Sequence, residues 1–221
     1  MMLDTHHAGH AGHAGHPGSA NAHSDGHEGH AHPTNTGVDN RKFAMWTLIA
    51  SECFLFGTLI GNYLIHKSRG VSGPTPQQVY QIDITTLSTF DLLMSSVAMV
   101  LALHYCNEKK LRLFQFWTAV VAIGGLIFLG FQYHEFSTFV LKDGLSLSTN
   151  IFGSSFYLLT GCHGAHVTMG VIWMLAILGT SLVKGDKWFN STMVEVAGLY
   201  WHFVDVVWII IFTVVYLFVY V

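Results

Sequence analysis

Beyond residue 42 the chain alternates long apolar runs with short polar islands. Five runs stand out, at about 43–65, 84–106, 113–139, 151–183 and 197–221. A bilayer core needs about 20 helical residues to cross, and every run is long enough. The fourth is long enough to tilt strongly or to project beyond the membrane. None contains Lys or Arg, and Pro17, Pro33, Pro74 and Pro76 all lie outside them. An unbroken helix satisfies its own backbone in lipid. The pattern therefore predicts an all-α polytopic membrane protein, a bundle of five transmembrane helices, with a membrane domain over 41–221.

Residues 1–40 follow no such pattern. They hold nine of the fifteen histidines among Ala, Gly, Asn, Ser, Thr, Asp and Pro. With no apolar periodicity there is no core to offset the entropy of ordering, so this head is expected to be disordered. It has no charged start followed by an apolar stretch, so it does not read as a secretory signal. Neutral imidazoles ligate divalent transition metals, and His10, His13, His16, His27 and His30 are candidates for weak metal binding. A solubilising or accidental repeat is the alternative.

Composition narrows the class further. The chain is 51% hydrophobic and only 10% charged, where a soluble domain carries about 25% charged residues. A net charge of −3 leaves no basic excess for nucleic acid. Cys53, Cys106 and Cys162 are odd in number, far apart and inside apolar runs, which favours packing residues over bridges. Basic residues set the orientation. With the N-terminus inside, Arg41, Lys42, Lys109, Lys110, Arg112, Lys184 and Lys187 face the cytoplasm, against Lys67, Arg69 and Lys142 outside. The expectation is a multi-pass protein of a bacterial-type inner (plasma) membrane, N-terminus cytoplasmic.

Polar side chains within a bilayer need a reason. Glu52, Asp91, Glu135 and Asp205 fall in the runs with no Lys or Arg beside them. Glu52 reads as protonated or hydrogen-bonded to a neighbour such as Ser51. Its role is either a proton-handling or lipid contact, or a tie between helices. Asp91 and Glu135, nearer their helix ends, read as interfacial. Gly57 and Gly61 form a GxxxG pair suited to close helix packing. His163 and His166 share a helical face at a spacing that suits a metal or haem, with His202 as the one opposite ligand. The surrounding Gly161, Gly164, Ala165 and Gly170 favour tight packing instead. His202 and Asp205 are three apart and able to hydrogen-bond along their helix. Trp201, Asp205 and Trp208 share a polar, aromatic face that should point at protein.

The stretch Tyr200-Trp201-His202-Phe203-Val204-Asp205-Val206-Val207-Trp208 resembles the last-helix signature of subunit III of haem-copper respiratory oxidases. Trp46 to Phe56, with Ser51-Glu52 and Phe54, resembles that family's glutamate-bearing helix. Ser95-Ser96, then Gln132 with Glu135, occupy expected places, and Phe156 to Gly170 resembles the penultimate helix. The resemblance spans 43–221. It implies an accessory subunit with no catalytic residue, haem or copper of its own. The family's haem and copper lie in partner subunits, and such a chain packs beside subunit I, in a complex that includes subunit II. It implies bound phospholipid and support for proton uptake, in a complex that reduces oxygen to water and pumps protons. It makes Glu52 the family's buried glutamate, with Glu135, His163, His166, His202 and Asp205 as interhelical polar contacts. Many members have seven helices, and this chain has the equivalent of the last five.

Besides a membrane cytochrome with His-ligated haem, two other readings compete. One is a subunit III-like protein of a nitric oxide reductase system. The other is a metal transporter with the head as collector, although transporters tend to show internal repeats and broken helices.

Overall fold

The computed structural model describes residues 39–66, 82–141, 151–185 and 190–217. The histidine-rich head, its candidate metal ligands and the segments between helices at 67–81 and 142–150 lie outside the described residues. Five helices follow in order: α1 (Asn40–His66), α2 (Ile82–Asn107), α3 (Leu111–Leu141), α4 (Ile151–Lys184) and α5 (Ser191–Val215). All five are long and apolar enough to cross a membrane. With its 34 residues, α4 reaches about 51 Å against a hydrocarbon core of about 30 Å. No strand occurs among the described residues. The protein is an all-α membrane bundle.

Two centre helices organise it. α5 packs on α1, α2 and α4, while α4 packs on α1, α3 and α5. α2 and α3 form the tightest pair, on one side of the centre, and α1 lies on the other. Half of the most apolar stretch of α5 is buried within the chain, against 11% of that of α1. α1 is therefore the peripheral helix, with most of its apolar surface turned outward.

Small residues set how closely the helices approach. A Cβ on Gly125 of α3 would lie 2.5 Å from Val171 of α4 and 2.7 Å from the Trp201 ring of α5. A Cβ on Gly170 of α4 would meet the same ring at 2.7 Å. The indole of Trp201 thus lies in a slot that two glycines leave open. Gly57 and Gly61 behave otherwise. Nothing lies within 4 Å of a Cβ built on either. Their GxxxG face is turned outward, so the expected close contact with another helix of this chain does not form.

α5 begins earlier than its apolar run. The side chain of Asn190 accepts a hydrogen bond from the Met193 amide at 3.1 Å and caps the helix there. In its second turn Glu195 pairs with Lys42 of α1 at 2.7 Å. Hydropathy alone could not show a helix start that a cap and an ion pair define.

Candidate functional site

Glu52 sits on the face of α1 that meets α4. Its Oε2 lies 3.2 Å from His166 Nε2, and the two side chains are about one-fifth exposed. Ser51 is not its partner, because that hydroxyl faces outward and donates to Leu48 O at 2.7 Å. The imidazole geometry fixes the chemistry of the pair. His166 Nδ1 lies 2.8 Å from Cys162 O, and a carbonyl oxygen only accepts. Nδ1 therefore carries a hydrogen. Nε2 and Glu52 are left sharing a single proton, as acid and imidazole or as carboxylate and imidazolium. Either way the pair is neutral overall, which avoids an isolated charge in lipid. Phe56 covers it edge-on, with its ring 5.0 Å from that of His166, and Tyr200 of α5 donates to the His166 carbonyl at 3.1 Å.

His163, one turn earlier, does not join this pair. Its ring stacks on Trp208 at 4.8 Å and meets Phe128 edge-on at 5.7 Å. It is fully buried, and neither nitrogen has a hydrogen-bond partner among the described residues. His163 and His166 thus do not converge on a common ligand point. No group of three His, Cys, Asp or Glu side chains among the described residues is arranged to hold a metal.

A second set of polar contacts joins α5 to α2. Trp201 Nε1 donates to Ser95 Oγ at 3.1 Å, and Trp208 Nε1 donates to Thr89 Oγ1 at 3.0 Å. His202 Nδ1 lies 2.9 Å from Ser96 Oγ. Trp201, Asp205 and Trp208 are all buried. The expected bond between His202 and Asp205 does not form, because the imidazole turns across to α2. Both Asp205 oxygens are buried without a partner among the described residues, although Ser96 lies nearby.

Glu135, six residues from the end of α3, is turned into the bundle. It is 9% exposed and one oxygen accepts from two neighbours, Thr85 of α2 at 3.1 Å and Tyr216 just past α5 at 3.0 Å. Three helix regions meet at this carboxyl. Gln132, one turn earlier, donates to Thr160 O of α4 at 2.7 Å, in the space Gly164 leaves open. Asp91 is half-buried, and its Oδ2 is covered without a partner. The three cysteines are free thiols.

Reasoning from the sequence missed Thr85, Thr89 and Tyr216 as partners. Thr85 and Thr89 did carry a signal: hydroxyls at i and i+4 on one face of an apolar helix, the face that also bears Ser96. Tyr216 carried none, being one aromatic among many near the end of α5.

A family model for cytochrome c oxidase subunit III matches residues 22–220. The probable quinol oxidase subunit 3 of Staphylococcus epidermidis is 34% identical over 195 residues, covering 85% of this chain and 96% of the relative. The cytochrome c oxidase subunit 3 of Alkalihalophilus pseudofirmus is 36% identical over 189 residues, covering 85% and 92%. That of Bacillus sp. strain PS3 is 35% identical over 178 residues, covering 80% and 86%. The family model covers most of the chain and these relatives are more than 30% identical over most of their length, and the chain belongs to the cytochrome c oxidase subunit III family.

Proposed function

We propose that this chain, a subunit III of a haem-copper oxidase, is an accessory member of the complex. In this reading haem and copper reside on partner subunits, and the chain packs against subunit I, with subunit II also present. It holds phospholipid and sustains proton supply to oxygen reduction. The relatives divide between quinol and cytochrome c oxidases at nearly equal identity. That division is expected where the donor site lies on another subunit. No observation favours the nitric oxide reductase or transporter readings.

The observation that carries the proton role is the 3.2 Å contact between Glu52 Oε2 and His166 Nε2 within an apolar bundle, a geometry that lets the two share one proton. A neutral pair with one mobile proton can hold and return it without leaving a bare charge in lipid. The lipid role has support where the start of α1 meets α4 and α5. Arg41, Trp173, Asn190, Met193 and Val196 line a cleft there. A cation, an indole and an apolar wall suit a phospholipid headgroup and its chains.

The test uses Glu52→Gln and Glu52→Ala in the assembled oxidase. Both complexes should assemble with unchanged haem spectra. Glu52→Gln keeps a donor for His166 Nε2 but cannot pass on the proton. Sustained turnover should fall in both variants, more than initial turnover does. If Glu52→Gln behaves as wild type and Glu52→Ala does not, the pair is a structural tie. If neither variant changes lipid content or inactivation over many turnovers, the proton role is wrong.

A further inference from the structure

We propose that Ser96, His202 and Asp205 form a second proton-holding site, in which the Ser96 hydroxyl relays a proton between the buried carboxyl and the imidazole. The site lies between α2 and α5 and is separate from the Glu52–His166 pair.

Asp205 is 4% exposed, and neither of its oxygens has a hydrogen-bond partner among the described residues. Trp201 and Trp208 lie one turn to either side of it, but both indoles give their N–H to α2, at Ser95 and Thr89. A carboxylate there would stand bare in the membrane, and no Lys or Arg falls in the apolar runs to offset its charge. The side chain is therefore the acid, with an O–H that needs an acceptor. The oxygen close to it is that of Ser96. Three hydroxyls of α2 face α5. Ser95 donates to Leu92 O at 2.6 Å and Thr89 to Thr85 O at 2.7 Å. Ser96 makes no such bond to its own helix among the described residues. Its Oγ lies 2.9 Å from His202 Nδ1 instead.

One arrangement satisfies all three groups. Asp205 donates to Ser96 Oγ, Ser96 donates to His202 Nδ1, and Nε2 carries the imidazole hydrogen. Moving both shared hydrogens one step along leaves a carboxylate, an intact hydroxyl and an imidazolium. The reverse step restores the start. The set stays neutral overall, and it loses its proton only when Nε2 gives one up. Ser96 and His202 are half-buried, so that end opens at the α2–α5 edge, and Asp205 is the closed end. His202 is eleven residues from the start of α5, about 17 Å along it, where lipid tails take up no proton. Release therefore belongs to the assembled complex. The other titratable groups on the helices around α5 are placed elsewhere. Glu52 of α1 is joined to His166 of α4, and Cys162 lies by that same imidazole. His163 of α4 stacks on Trp208, and Asp91 of α2 is turned toward α3.

The test follows the carbonyl stretch of protonated Asp205 by infrared spectroscopy in the assembled complex, after a jump to alkaline pH. The band is assigned by its absence from Asp205→Asn. Should that variant fail to assemble, Asp205→Glu shifts the band and assigns it instead. In wild type the band should disappear as the proton leaves through Ser96 and His202. Ser96→Ala and His202→Phe should each slow that loss about a hundredfold, the scale of one positioned acid–base group. Ser96→Thr keeps the hydroxyl and should match wild type. A carboxyl that never loses its proton overturns the proposal, and so does a loss equally fast in Ser96→Ala. If Ser96→Ala and Ser96→Thr are slowed alike, the cause is packing and the relay is wrong. The readout is the carboxyl itself, so the result stands apart from whatever Glu52 contributes to turnover.

Discussion

Breaking the Glu52–His166 contact from either side strands one polar group inside the bundle. Glu52→Ala and His166→Ala should each lower the thermal stability of the purified protein by about 1 kcal/mol, and the double mutant by less than the sum. Strictly additive losses would show that the two side chains do not interact. His163 calls for the opposite expectation. Its ring nitrogens make no hydrogen bond among the described residues, while its flat face stacks on Trp208. His163→Phe keeps the stack and removes two buried polar atoms, so stability should hold or rise. A loss above about 1 kcal/mol would reveal a partner for those nitrogens. The glycines separate in the same way. Gly125→Ala places a methyl 2.5 Å from Val171 and should cost roughly 1–3 kcal/mol through overpacking. Gly57→Ala meets nothing and should leave the isolated subunit unaffected.

Among the elements, the turn from α2 to α3 shows how a helix ends without its preferred residue. Lys110 N donates to Tyr105 O and Lys109 N to Cys106 O, the paired bonds of a Schellman cap. The residue in the left-handed position is Lys109, at φ 57°, where glycine is usual. Lys109→Gly should therefore stabilise the turn by up to about 1 kcal/mol, readable as a raised unfolding temperature. The Lys110 ammonium, hydrogen-bonded to Glu108 at 2.8 Å, holds that carboxyl below its usual range. The pair's small contribution is thus present at neutral pH. It fades only as acid is added past the ordinary glutamate range. The five spans were legible because bilayer thickness imposes a length and a polarity that composition must obey. Partners were not. Glu52 and His166 are 114 residues apart, and only the packing of α1 on α4 brings them together. The last-helix motif marked Trp201, His202 and Trp208 as a unit. It could not reveal that their partners are the hydroxyls of α2, because a serine in an apolar run reads equally well as bonded to its own backbone.

At the scale of the whole molecule, the seven basic residues on one side against three on the other set an expected orientation. A cysteine introduced at Ser24 should be shielded from an impermeant thiol reagent added to sealed cells. Labelling from the outer face would overturn that topology. Deleting residues 2–38 should leave assembly with the oxidase intact and remove any zinc bound by the head. Loss of assembly would make the head structural. The order of the helices has a consequence for biosynthesis. α5, made after the other four, packs on α1, α2 and α4 and carries the donors for Ser95 and Thr89, while Tyr216 reaches Glu135. Until it inserts, the four earlier helices lack the piece that locks them to one another. A chain stopped at residue 190 would sit in the bilayer as loose hairpins, exposed to membrane proteases. Pulse-chase measurement should find it degraded much faster than the chain that includes α5, so that the cell inspects this protein when α5 arrives.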